Sequence, residues 1–284
     1  PTEAPLTADA VEQGFRQLHN LTSETPTSWR DRLFGDASTP TIEWRLHQPA
    51  GDGELGIYVG VTDVTRDTLR GALRTACPNE YELTPATPPP VPATEQTEGD
   101  AAQMEPSTVA VEWVGDADRR DDWQTRLTPV TSFTDEDGRL PLAAVVETLA
   151  ETDAAVTYQV VCEPFLDFRS EIRDRKFKID EGMDTRVDWL LRFLFGLEPD
   201  RETPPDIVAE RKAALDATDP QHAFVVNARC VVRGADARAT ARQLAGTLEA
   251  LSGPFYAVDA KLNSDDPDRV ATAIRNQTVH HPVH

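Results

Sequence analysis

The chain has 284 residues and 31.3 kDa, enough for one large domain or two ordinary ones, and its hydrophobic share of 39% is enough for a core but lean for a globular protein. Its 49 acidic residues outnumber 28 basic ones, giving a net charge of −21. That charge argues against a surface that binds bare nucleic acid nonspecifically, and no run of apolar residues is long enough to predict a membrane-spanning helix.

Only four of the basic residues are lysines: Lys176, Lys178, Lys212 and Lys261. A strongly acidic, lysine-poor composition is what a protein working in molar salt is expected to have, because a Debye length of about 3 Å screens the self-repulsion of such a surface. The chain opens at Pro1 with no charged-then-apolar leader to read, so it is expected to be a processed chain or an excerpt of a longer one; its expected place is the cytoplasm, free or attached to a membrane-bound complex. Its three cysteines, Cys77, Cys162 and Cys230, are odd in number and far apart. They form no CxxC, and Cys162 and Cys230 lie in apolar β-like runs, which predicts buried free thiols.

In chain order, Val11, Phe15, Leu18 and Leu21 keep helical spacing within residues 9–34, where a second short helix carrying Trp29, Leu33 and Phe34 is expected before Gly35. Residues 41–47 alternate apolar and polar, and residues 54–62 follow after the turn AGDG, which predicts a β-hairpin. A helix with Val64, Leu69 and Leu73 follows, capped by Thr62 or Asp63, and Tyr81 and Leu83 then predict a short strand. Residues 84–107 are rich in proline, threonine and glutamate and read as a semi-extended or disordered linker.

Beyond the linker, VAVEWV (109–114) predicts a strand, residues 115–138 an acidic loop, and Pro141 the first turn of a helix to about Ala150. AAVTYQVVCEPF (154–165) is the strongest strand signal, stopped by Pro164. Helices are expected over 166–197 and 204–216, a strand over HAFVVNARCVVRG, and a helix opened by Asp236 with Ala239, Leu244, Leu248 and Leu251 facing the core. A strand over FYAVDAKL, a helix over 266–275 and an irregular tail complete the chain.

That order is β-α-β-β-α-β with helices inserted at its centre. It predicts an α+β fold: a ferredoxin-like split βαβ sandwich over 108–284 with a helical insertion at about 166–217. A smaller related ββαβ unit over 1–84 either shares its sheet or packs beside it, with residues 85–107 as the linker between them.

The sequence carries no phosphate-cradling Gly-x-x-x-x-Gly-Lys-Ser/Thr, no GxGxxG, no GxSxG, no HExxH and no EF-hand spacing. No catalytic residue, metal or cofactor is therefore assigned. The terminal His280, His281 and His284 read as a solvated end. Trp44, Trp113, Trp123 and Trp189 read as core or half-buried anchors from their apolar neighbours. The one basic patch is FRSEIRDRKFKID (168–180), where Arg169, Arg173, Arg175, Lys176 and Lys178 stand among Glu171, Asp174 and Asp180. It is a candidate contact for phosphate or for an acidic partner; a charge-laced helix face is the plainer reading.

The run TIEWRLHQPAGDGELGIYVGVTDVTRDTLRGALRTACPNEYEL (41–83) resembles the N-terminal, non-motor part of the type IV secretion and conjugative-transfer ATPases of the HerA–FtsK superfamily, at Ile57–Gly60, Thr68–Leu73 and Cys77–Tyr81. AAVTYQVVCEPF (154–165) and the segment 211–251 are similar to later stretches of the same domain. The resemblance implies a non-catalytic assembly domain that docks to an ATPase motor domain or to secretion-complex subunits, forms homo-oligomers and touches DNA only locally or indirectly. The chain lacks both Walker motifs of that family's motor, so the resemblance implies an N-terminal domain or a detached paralogue. The alternative is a standalone ferredoxin-like binding protein, from a mobile element or a virus; a third reading, an enzyme built from scattered carboxylates, has no constellation to name.

Overall fold

Six strands form one antiparallel sheet: β1 (Ile42–Gln48), β2 (Gly56–Val61), β3 (Ser107–Ala117), β4 (Ala155–Pro164), β5 (Phe224–Gly234) and β6 (Tyr256–Asn263), in the order β2-β1-β4-β5-β3-β6. The computed structural model describes residues 8–23, 40–77, 81–92, 107–117, 141–165, 168–181, 194, 196, 205–252 and 256–280. The described helices are α1 (Ala8–Ser23), α2 (Arg66–Ala76), α3 (Pro141–Glu151), α4 (Phe168–Asp180), α5 (Pro205–Ala217), α6 (Ala237–Ala245) and α7 (Pro267–Arg275), with a 3-10 turn at Gly246–Leu251.

The fold is α+β. Strands β3 and β4 each pair antiparallel with β5 and so run parallel to each other, joined through α3; β5 and β6 are likewise parallel, joined through α6. The order β6-β3-β5-β4 is compatible with the expected split βαβ arrangement, with α4 and α5 between its middle strands. The β1–β2 hairpin does not form a sheet of its own. Strand β1 pairs with β4 from Ile42–Cys162 to Gln48–Val156, so the parts on either side of the Pro-rich run share one sheet.

Alternation along the strands sends side chains to two faces. On the first, Val109, Val111, Trp113, Val156, Tyr158, Cys230 and Val232 meet Val145 and Leu149 of α3 and Ala241, Leu244 and Leu248 of α6 and its 3-10 turn. The Trp113 indole donates to Ala245 O at 3.1 Å and stands edge-on to Tyr158, so its polar edge is satisfied within the core. Alanines at 237, 241 and 245 let α6 lie close to the sheet, and a side chain on Gly234 would strike Ala154 Cβ at 3.0 Å. Ala239, expected on this face, is exposed instead, and Ala237 and Ala241 take the core positions. Farther along the same face, Leu18 of α1 and Ala72 of α2 cover Ile42 and Cys162, with Trp44, Val61 and Leu69 packed alongside.

The second face is covered by α7, whose Val270, Ala271 and Ile274 pack on Ala110 and Val231. Val91 joins that cluster, so the first part of the expected linker packs on the sheet; residues 93–106 lie outside the described residues. The expected strand at Tyr81 and Leu83 does not form, for residues 81–92 join no ladder. Helix α2 is capped by Thr65, whose side chain accepts from Thr68 N, and by neither Thr62 nor Asp63; Asp63 turns the chain at φ 60° ahead of the cap. The second short helix expected before Gly35, most of the expected 115–138 loop, Trp123, Trp189, His281 and His284 lie outside the described residues, as does most of the expected helix beyond Glu181.

Candidate functional site

Helix α4 carries all five basic candidates, and its packing against α5 separates them. Phe168, Ile172 and Ile179 pack with Leu215, fixing which side of α4 faces α5. Arg175 lies on that inner side, 5% exposed, forked onto Glu171 at 2.9 Å, and burial pushes its guanidinium down to about 10. It is forked onto its own helix and has almost no surface to offer a partner. Lys176 pairs with Asp216 of α5, Lys178 with Asp174 at 2.7 Å, and Lys212 of α5 with Asp180. The plainer reading thus describes three of the five residues.

Arg169 and Arg173 differ. Both are exposed; Arg169 has no partner among the described residues, and Arg173 reaches only Ser170 Oγ at 3.4 Å. Four residues further along the same stripe stands Phe177, 56% exposed. Residues spaced by four share one side of a helix, so α4 presents guanidinium, guanidinium and phenyl in a row. A pair of planar forks beside an apolar ring can grip carboxylates in two-point contacts while the ring contributes burial.

A second constellation was not foreseen. On the sheet's second face, Tyr58, Arg45, Gln159, Arg229, Glu112 and Lys261 stand directly opposite one another across β2, β1, β4, β5, β3 and β6. Its inner members are deeply buried: Gln159 is 0% and Arg229 1% exposed, and Arg45 and its neighbour Glu43 are buried too. Glu43 Oε1 accepts from Arg45 Nε at 2.9 Å, from Arg45 Nη2 at 2.6 Å and from Gln159, while Oε2 accepts from Gln277 at 2.8 Å.

The remaining bonds reach α7 and the tail. Gln159 Nε2 donates to Ile274 O at 2.9 Å, Arg229 Nη2 to Thr278 O at 2.7 Å, and Asn227 Nδ2 to His280 O at 3.2 Å. Arg269 of α7 pairs with Glu112. Gln277, at φ 51°, ends α7 in a backbone region that costs a non-glycine residue energy, offset by its bonds to Glu43 and Thr41. Burial pushes the Arg229 guanidinium down, with Glu112 opposing and Arg269 adding to the shift. The row therefore clamps the end of the chain onto the sheet, with most of its donors and acceptors used internally. The signal that could have found it is a charged or amide residue at every second position of neighbouring strands, among β-branched residues on the same face: Glu43, Arg45, Gln159, Asn227 and Arg229.

Helix α1 is pinned by a third cluster. The His19 ring stands 5.4 Å from that of His222 and 5.0 Å from Phe224, and His222 Nδ1 is 2.8 Å from Asp219 Oδ2, which Arg16 also approaches at 3.2 Å. Burial pushes the His19 imidazole down from its ordinary value, and His222 adds to the shift. Burial raises Asp219, but the Gln221 N–H, His222 and Arg16 outweigh it and hold the carboxyl low.

Elsewhere, a cleft of about 450 Å³ between α3 and α6 is lined by Glu151, Asp153 and Asp236, but its buried hydroxyls are engaged: Thr148 donates to Ala144 O and Thr240 bonds Thr152. Among the described residues no three His, Cys, Asp or Glu side chains are placed to hold a metal ion. Cys162 and Cys230 are buried free thiols, pushed up to about 12 by burial, and Cys77 is half-buried. Comparison with family models, curated proteins and solved structures finds no match.

Proposed function

We propose that the chain is a non-catalytic docking module, the non-motor part of a DNA-transfer ATPase of the HerA–FtsK kind, adapted to high salt. The observation that carries this reading is the outward stripe of α4. In a chain of net charge −21, whose other α4 cations are buried or paired, Arg169 and Arg173 stand exposed beside Phe177. Such a stripe suits an acidic protein surface with an apolar pocket, here the motor domain or a secretion-complex subunit. The phenyl contributes binding that salt does not screen, and the guanidinium forks set the orientation. Two exposed guanidinium groups limit any DNA contact to a local one. The DNA-transfer setting rests on the resemblance at 41–83, 154–165 and 211–251. No described helix is long and apolar enough to cross a membrane, which suits a module held by a partner.

The test is mass by light scattering in about 2–3 M KCl, on the chain alone and in its native reading frame with any downstream sequence. The expected result is an assembly larger than a dimer that forms only with a downstream motor and is lost on combining Arg169→Glu, Arg173→Glu and Phe177→Ala. If no motor follows in the frame, or the triple variant assembles like the parent, the standalone binding protein becomes the better account.

A further inference from the structure

The two edges of the sheet are built differently. Strand β6 carries the exposed charges Asp259 and Lys261 along its length, a guard against pairing with another chain. Strand β2, GIYVGV, has no charge and no proline, and among the described residues only its inner side is paired, to β1. Ile57 on this strand is 65% exposed, the most exposed of the large apolar side chains described.

We propose that β2 is a self-pairing edge: two copies of the chain join β2 to β2 in antiparallel fashion about a two-fold axis, continuing the sheet through both. Three observations select a second copy as the occupant. First, the guarded β6 edge disfavours β2-to-β6 contacts, which would run on into open fibres, and leaves the closed two-fold contact.

Second, the strand is complementary to itself. A two-fold axis perpendicular to the sheet places residues of the same face opposite each other. Centred on Val59, it sets Ile57 against Val61 of the partner subunit and Tyr58 against Gly60 of the partner subunit. The exposed Ile57 is then covered, and the Tyr58 ring, which lies back over Gly56 of its own strand, meets no side chain across the axis.

Third, the charges around the strand give the contact a definite salt dependence. Asp52, Glu54, Asp63 and Asp67 flank β2 and outnumber the nearby Arg66 and Arg70, all exposed. Two-fold pairing brings these acidic ends together, so salt must strengthen the association by screening them. An ordinary ion-paired interface would weaken instead. This inference does not depend on the function proposed above.

Sedimentation of the isolated chain in about 0.2 M and about 3 M KCl tests it. The expected result is a monomer in low salt and a dimer in high salt. Ile57→Lys, at a position 65% exposed in the monomer, weakens dimerisation by at least about tenfold. Glu54→Lys, which replaces a repulsive end by an attractive one, brings the dimer on at lower salt. A monomer at every salt concentration overturns the proposal. So does a dimer that survives Ile57→Lys, one that weakens as salt rises, or one that Glu54→Lys leaves unchanged.

Discussion

Arg229 and Gln159 stand directly opposite each other on β5 and β4, both sealed from solvent, and each retains one polar atom, Nη1 and Oε1, without a hydrogen-bond partner among the described residues. Among the described residues the guanidinium has no carboxylate at ion-pair distance, Glu112 across β3 acting only from farther off; its acceptors are the neutral Asn227 Oδ1 and Thr278 O. A charge held that way contributes little, because desolvation offsets most of what two neutral hydrogen bonds return. Arg229→Met is expected to change stability by no more than about 1 kcal/mol in either direction, read from the midpoint of denaturant unfolding. A loss beyond about 3 kcal/mol would mean that the guanidinium is paired more strongly than its neighbours indicate.

Glu43 is the opposite case. Among the described residues its carboxylate is the one paired with the buried Arg45, and it also accepts from Gln159 and Gln277. Glu43→Ala leaves that guanidinium uncompensated and strips a bond from each amide, so it is expected to cost about 3–5 kcal/mol. The same unfolding measurement ranks the two variants, and a Glu43→Ala cost below that of Arg229→Met would refute the distinction.

His19 gives the fold an acid limit. Its folded-state value lies below the ordinary 6.5, so the unfolded chain takes up the proton first. Stability from this group is full above about 6.5 and declines as pH falls below it. His47 shifts in the same direction, from burial and then Arg45. His19→Phe, which keeps a ring against Phe224, is therefore expected to flatten part of the decline and leave the rest. Asp219, held low, loses its contribution only at more acid pH, as the pH falls from the ordinary carboxyl value of 3.8. Unfolding midpoints taken across the two windows separate the groups; a His19→Phe profile identical to the parent's would count against the assignment.

The thiols are expected to divide by burial. Cys162 and Cys230, each pushed up to about 12, offer almost no thiolate near neutral pH, whereas the half-buried Cys77 has access to reagent. Titration with a thiol reagent should modify Cys77 alone in the folded chain and all three cysteines after denaturation. Prompt reaction at Cys230 would place it nearer the surface than its position beneath α6 allows.

Much of the fold was legible because its strands read as strands on composition alone: AVTYQVV and FVVNARCVV are β-branched on both faces, as central strands must be. The hairpin at 42–61 was equally plain from alternation around a glycine turn. Its joining of the main sheet was not, since β1 and β4 pair across a long stretch of sequence and no local pattern encodes that choice. The candidate stripe was half legible. A helix with five cations could be seen, but which of them face α5 depends on Ile172, Ile179 and Leu215 meeting in space, and that meeting is what buries Arg175 and leaves Arg169 free. The polar row was missed because its members look like the solvent side of each strand until α7 and residues 276–280 are seen to lie over them.

Gln277 closes on Glu43 across 234 residues of chain. During synthesis the β1–β2 hairpin emerges well ahead of β4, the strand that completes its inner edge, and the Gln277 cap over its buried carboxylate comes later still. Non-local closure of this kind slows folding, and a nascent chain waits with an unpaired strand edge. The order of manufacture and the order of completion are thus opposed, and a chain stopped short of Gln277 would release a hairpin whose Glu43–Arg45 pair still lacks its cover.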